Sequence, residues 1–262
     1  MLLLVKVVLT PTIVVAATLA GRRFGRTASG WLIGLPLTSG PITAFFSVQH
    51  GTHFAARASV GSLGGAIGEV AFCVGYAAAA GRAGWPAAVL CGSAAFAATA
   101  AILEALPLDA HPRTVALLAV TAALALPAGL ALVPHVRTAP DGKQLPTSRW
   151  ELPARAVTAT VLLLGLTALA TTFGPRLSGL LAVYPLYSVV LAAFTQRLEG
   201  EAGAVQVLRG LLVGLFSFVC FYTALAAALV PIGTAGAFAV AFTAALAAQA
   251  LSLKPMLRLA AA

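Results

Sequence analysis

Gly34-Leu35-Pro36-Leu37-Thr38-Ser39-Gly40-Pro41 interrupts a segment that is otherwise long and apolar enough to cross a bilayer. The pattern around it returns 149 positions later, without a gap. Phe24-Gly25, Ser29-Gly30, Leu32, Pro36-Leu37, Ser39, Ala44-Phe45, Gly51, Ala55 and Gly61 match Phe173-Gly174, Ser178-Gly179, Leu181, Pro185-Leu186, Ser188, Ala193-Phe194, Gly200, Ala204 and Gly210. Over residues 24–61, 13 of 38 positions are identical, where chance in an Ala/Leu/Gly-rich chain gives roughly one in ten. The chain therefore carries an internal duplication, with an interrupted helix in each copy.

Outward from this stretch, the composition fixes the environment. Hydrophobic residues make up 60% of the chain and charged residues 9%, far below the roughly 25% charge of a soluble domain. Apolar runs of about twenty residues recur from end to end, the length of a membrane-crossing helix. They do not alternate as the strands of an outer-membrane barrel do. The expected class is an all-α polytopic membrane protein whose main partner is the lipid bilayer. The net charge of +9 does not point to nucleic acid, because the basic residues lie at the ends of apolar runs, as the positive-inside rule requires. No RNA-binding motif is present. Cys73, Cys91 and Cys220 each sit inside an apolar run, and no two share a metal-site spacing, so they read as buried, inert thiols.

The runs predict about nine transmembrane helices, over residues 2–19, 28–49, 58–80, 85–103, 114–133, 152–172, 177–195, 210–230 and 232–251. Predicted helix 1 is read as retained and not as a signal peptide. It lacks a basic n-region, Lys6 lies inside it, and it occupies the repeat position of helix 6. Residues 1–134 hold the first repeat, helices 1–4, with linking helix 5. Residues 135–151 form a polar linker on the cytoplasmic side. Residues 152–262 hold the second repeat, helices 6–9.

Counting Lys and Arg by side gives the orientation. With the N-terminus outside, 12 fall on inner segments and 4 (Lys6, Arg57, Arg113 and Arg176) on outer ones. The expected location is a bacterial inner membrane, with the C-terminus in the cytoplasm. Trp31, Trp85 and Trp150 fall at the inner interface in this arrangement. Five crossings separate each helix from its repeat partner, so the second copy is upside down. The plan is two inverted four-helix repeats joined by helix 5.

Chemistry concentrates where the helices break. Proline removes a backbone donor and frees a carbonyl one turn earlier, and in hydrocarbon such a group needs protein or a wet cavity beside it. Pro36 and Pro41 break helix 2 beside Thr38 and Ser39. Pro185 breaks helix 7 beside Tyr187 and Ser188. Interrupted helices at matching positions of two halves point to a transport site; the plainer alternative is kinks that improve packing. Glu69 is the only acidic residue near the middle of any predicted helix. A carboxylate there is costly unless protonated, paired or hydrated, so it is expected to face the interior, for proton coupling, for recognition of a cation, or simply hydrogen-bonded to a neighbouring helix. Its repeat partner is Phe218.

Other features read as structural. Gly61/Gly65, Gly64/Gly68 and Gly210/Gly214 are small-xxx-small pairs for close helix packing. His50 and His53 share a face if their helix continues that far, and lack a third ligand for a metal. Glu199 and Glu201 read as a surface turn balanced by Arg197 and Arg209. No Walker loop, metalloprotease pattern or nucleophile elbow occurs, so no catalytic residue, metal or cofactor is expected.

The paired Gly-x-Leu-Pro-Leu-x-Ser and Val-Tyr-Pro-Leu-Tyr-Ser segments, with their flanking Phe-Gly, resemble those of a group of uncharacterised bacterial inner-membrane proteins. The general plan is similar to that of inverted-repeat secondary transporters. This resemblance of plan implies a transporter or exporter of a small molecule or ion and carries over no functional residue; proton coupling through Glu69 is the expectation from that residue's own place in the chain. A lipid or lipid-carrier flippase, a membrane-embedded enzyme and a membrane scaffold are the alternatives. Assembly as a homo-oligomer is compatible with each.

Overall fold

The computed structural model describes residues 2–37, 39–106, 110–135, 150–172 and 184–261. Among these the structure is entirely helical. The elements are α1 (Leu2–Phe24), α2 (Arg26–Ile33), α3 (Ser39–His50), α4 (Thr52–Ala80), α5 (Trp85–Glu104), α6 (Pro112–Leu132), α7 (Glu151–Thr172), α8 (Leu186–Glu199) and α9 (Glu201–Ala261). Four of them, α4, α5, α6 and α9, are long and apolar enough to cross a membrane. Their outer faces are hydrocarbon: Leu90, Leu124 and Leu246 are each at least 64% exposed, as lipid-facing side chains are. Thr38, Arg137, Lys143, Arg149, Arg176 and the repeat positions from Phe173 to Leu181 lie outside the described residues.

Predicted helix 2 is two short helices, α2 and α3, separated at Pro36. The break is held by local bonds. Leu37 N donates to Leu35 O at 2.8 Å and Gly40 N to Pro36 O at 3.1 Å. The same pair of bonds recurs 149 residues on: Leu186 N to Tyr184 O at 2.7 Å and Val189 N to Pro185 O at 3.0 Å. The far ends match as well. α3 stops at Gly51 (φ 84°) and α8 at Gly200 (φ 85°), where the positive φ suits a residue without a Cβ. The two matched segments thus share these turn bonds and glycine conformations as well as residue identities.

These two glycines give a paired prediction. A methyl group added at Gly51 or Gly200 meets no atom within 4 Å, so alanine there costs only the strained backbone. Gly51→Ala and Gly200→Ala are each expected to lower stability by about 1–3 kcal/mol, and by similar amounts. Thermal unfolding in detergent measures this; an unchanged melting temperature in either variant would contradict the assigned turn.

The Gly51 turn also separates His50 from His53, so their three-residue spacing does not place them on one helical face. His50 packs its ring 4.9 Å from that of Phe54, and no metal-ligating group of three occurs among the described residues. Other boundaries move. α1 continues to Phe24, and α4 begins at Thr52, six residues before the predicted start. Predicted helices 8 and 9 form α9, broken at Gly233 (φ 73°). The chain folds back there: Phe221 and Phe242, 21 positions apart, have ring centroids 5.2 Å apart. Residues 201–232 and 234–261 are therefore two antiparallel rods.

α4 lies at the centre, against α3, α5, α6 and the first rod of α9. The tightest crossing joins α2 to that same rod. A methyl on Gly30 would collide with the Val207 carbonyl oxygen, one on Gly210 with the Thr27 carbonyl oxygen, and one on Gly214 with that of Trp31. The small residues allow backbone to touch backbone. Gly64 and Gly68 act differently, receiving the Leu103 and Phe96 side chains of α5. Trp31 is packed inside, its Nε1 donating to Ser252 Oγ at 2.8 Å, whereas Trp85 and Trp150 are exposed. Cys73 is buried, but Cys91 faces outward on α5.

Charged side chains tie the two copies together in a way the linear pattern did not suggest. Arg22 of α1 donates to Glu151 of α7 at 2.9 Å. Arg155, 1% exposed, lies 2.9 Å from the same carboxylate and 5.5 Å from the centre of the Phe194 ring. Arg26 pairs with Glu199, so Glu199 does not form the self-contained turn expected. Nor does Arg209 balance it. Arg209 Nη1 donates to the carbonyls of Leu130 (3.1 Å) and Val133 (2.6 Å) at the end of α6, which have no partner within the helix.

Candidate functional site

The break at Pro36 and the start of α8 at Pro185 open onto one cavity of about 100 Å³. Leu35, Leu37 and Ser39 reach it from the break, and Tyr184, Leu186 and Tyr187 from the α8 start. Leu35 and Tyr184 are repeat partners, as are Leu37 and Leu186. α4 contributes Ser62 and Glu69, and α9 contributes Phe218, the repeat partner of Glu69. The cavity is thus walled by matched positions from the two copies.

Glu69 sits in the middle of α4 because its neighbours on that helix are small. Gly68 lets α5 close in behind it through Phe96, and Gly65 leaves open space one turn earlier, where it lines the cavity. Ser188 Oγ donates to Glu69 Oε1 at 3.5 Å, the long end of hydrogen-bond range. Ser188 is the third residue of α8, and Ser39 is the first of α3. Two helix N-termini therefore begin at the cavity, and their partial positive charge offsets an ionised carboxyl.

The other hydroxyls form a frame around this pair. Tyr187 Oη lies 3.1 Å from Thr10 Oγ1 on α1, and Tyr184 Oη lies 2.7 Å from Ser93 Oγ on α5. Behind Ser39, the buried Tyr222 hydroxyl of α9 lies 3.3 Å from Thr43 Oγ1 on α3. Side-chain hydrogen bonds thereby join α1 to α8, α5 to the residues before α8, and α3 to α9 around the cavity.

Of the residues singled out in the sequence, Ser39, Glu69, Tyr187 and Pro185 line the cavity, and Ser188 holds the carboxyl. Pro36 lies in the first break. Pro41 lies in the first turn of α3, where a missing N–H removes no helical bond, so it sits inside the helix start and not in the break. Thr38 falls outside the described residues. Ser62 and Tyr222 were not anticipated. Ser62 precedes Glu69 by seven residues, two helical turns, and that spacing alone places them on one face. Tyr222 leaves no such local trace, because its partner Thr43 is 179 positions away.

Chemically, the arrangement offers one carboxyl that can hold or release a proton, hydroxyls that can donate or accept, and aromatic rings, set in hydrocarbon. Comparison with family models, with curated proteins and with solved structures finds no match for the chain.

Proposed function

We propose that this protein is a secondary transporter of a small solute, coupled to protons through Glu69. The observation that carries the reading is the convergence of the Pro36 break and the Pro185 start of α8 on one cavity beside Glu69, the only mid-helix carboxyl among the described residues. Broken helices at membrane depth need protein or a water-filled space beside them, and in transporters built from inverted repeats they form the binding site.

In this reading the chain crosses a bacterial inner membrane nine times, with its N-terminus outside and its two four-helix halves inverted. The charge asymmetry and the recurring backbone bonds support that plan. So do the contacts between repeat partners: α1 packs on α7, and α4 on the first rod of α9. Elements related by a two-fold axis are expected to meet at that axis. Alternating access then follows from one half rocking against the other around the cavity.

Reconstitution into liposomes holding a pH-sensitive dye tests the proposal. An imposed pH gradient should be dissipated by added amines, carboxylates or sugars only when the cognate class is present and the protein is intact. Glu69→Gln is expected to lower that flux to the rate of empty vesicles while eluting as a folded species from size exclusion. Full flux through Glu69→Gln, or no protein-dependent flux for any solute class, would overturn the reading.

A further inference from the structure

The walls of the cavity say which solutes suit it. Among the described lining residues Glu69 is the only carboxyl, and no lysine, arginine or histidine reaches the space. The partial positive charge of the two helix N-termini already faces the Glu69 carboxylate, so no full positive charge is left for an anionic solute. An alkali metal ion must replace its shed water with several oxygen ligands, and beyond the carboxyl the walls give it only a few hydroxyls. Most of the remaining wall is hydrocarbon or aromatic: Ile13, Leu35, Leu186, and the rings of Tyr184, Tyr187 and Phe218. Aromatic faces attract an ammonium group, and an alkyl-substituted ammonium carries apolar surface to place against the rest.

Resting on the transport reading above, we infer that the cavity takes a small organic ammonium ion, held by the Glu69 carboxylate and the surrounding rings, in exchange for a proton on Glu69. The step balances. The Glu69 O–H bond breaks, its electron pair stays on the carboxylate, and the proton leaves to solvent. The incoming cation restores the charge of the site. The other titratable groups around Glu69 are the Tyr184 and Tyr187 phenols, Tyr222 on α9, and the Cys73 thiol one turn along α4. α1, α2, α3 and α5 bring no titratable group to the described wall. The carboxyl is therefore the proton donor.

Purified full-length protein in detergent, in weakly buffered solution with a pH indicator, provides the test. Tetramethylammonium chloride is expected to release about one proton per protein, as competition for one carboxyl requires. Sodium and potassium chloride at equal ionic strength, and sodium acetate, are expected to release none. Glu69→Gln is expected to abolish the release. Phe218→Ala keeps the carboxyl and is expected to raise the half-saturating concentration about tenfold through loss of a ring, with the stoichiometry unchanged. Should Glu69→Gln fail to fold, Phe218→Ala carries the test. No release with tetramethylammonium, or equal release from folded Glu69→Gln, overturns the inference. An equal response to sodium or potassium assigns the site to inorganic cations, and proton uptake with acetate assigns it to anions; either sinks the proposal. The readout needs no membrane. Proton release without vesicle flux would refute transport and keep the cation site, and vesicle flux without proton release would do the reverse.

Discussion

Leucine at Gly210 is expected to prevent recovery of folded protein. The first atom of any side chain at Gly210 collides with the Thr27 carbonyl oxygen, and the facing Gly30 is equally close to the carbonyl oxygen of Val207. Neither obstacle is the movable end of a side chain. α2 and the first rod of α9 would have to separate along their whole contact, taking the first helix break with them. Overpacking a core costs about 1–3 kcal/mol when side chains can shift. Displacing backbone belongs with the largest single-residue effects, about 5 kcal/mol. The control is Ala123→Leu on the outward face of α6, where Ala123 is exposed and the cost should stay within about 0.5 kcal/mol. Fluorescence-detected size exclusion and thermal unfolding report both variants. A sharp, parent-like elution peak and melt for Gly210→Leu would mean that the two backbones do not touch.

Glu151→Ala should be nearly as damaging, for an electrostatic reason. Glu151 is the counter-charge of Arg155, which is 1% exposed, and it also receives Arg22. Arg22 is partly exposed and can turn to water. Arg155 cannot, and an uncompensated buried charge typically costs about 3–5 kcal/mol. Adding Arg155→Leu removes that charge and leaves hydrocarbon in its place. The double variant is therefore expected to regain most of the lost stability, since replacing a buried pair by apolar side chains is often close to neutral. A thermodynamic cycle from thermal melts in detergent measures the coupling. Strictly additive losses would show that Arg155 draws its compensation from elsewhere, with Glu199 the first alternative.

How much of this could be seen in the linear chain depends on the range of the interaction. Apolar runs and prolines act locally, so the helical character, the interruption at Pro36 and the helix start beside Pro185 were legible. The Gly51 and Gly200 turns were legible as repeat positions, though their conformation was not. Glu69 was conspicuous because a carboxyl in a long apolar run has few solutions, and Ser188 because it shares a repeat position with Ser39. What escaped reading was long-range. Gly34 meets Gly214 across 180 positions, and nothing near either one says which partner it meets. Arg155 counted only as one of the inner-side basic residues until α1 and α8 were placed beside it. Pro41 looked like a second break because a proline two residues into a helix and one in its middle are the same letter.

The lone carboxyl of the cavity has an electrical consequence. Phe218 stands where a second acid would complete the symmetry, so the proposed exchange involves one positive charge at a time. A monovalent cation moving one way and a proton the other transfer no net charge across the bilayer. The membrane voltage, worth about 2.3 kcal/mol per charge per 100 mV, then does no work on the cycle, and only the difference in pH drives it. Clamping vesicles at different potassium diffusion potentials is expected to leave the exchange rate unchanged. A Phe218→Glu variant that gained voltage dependence would show that this position sets the charge carried per turnover.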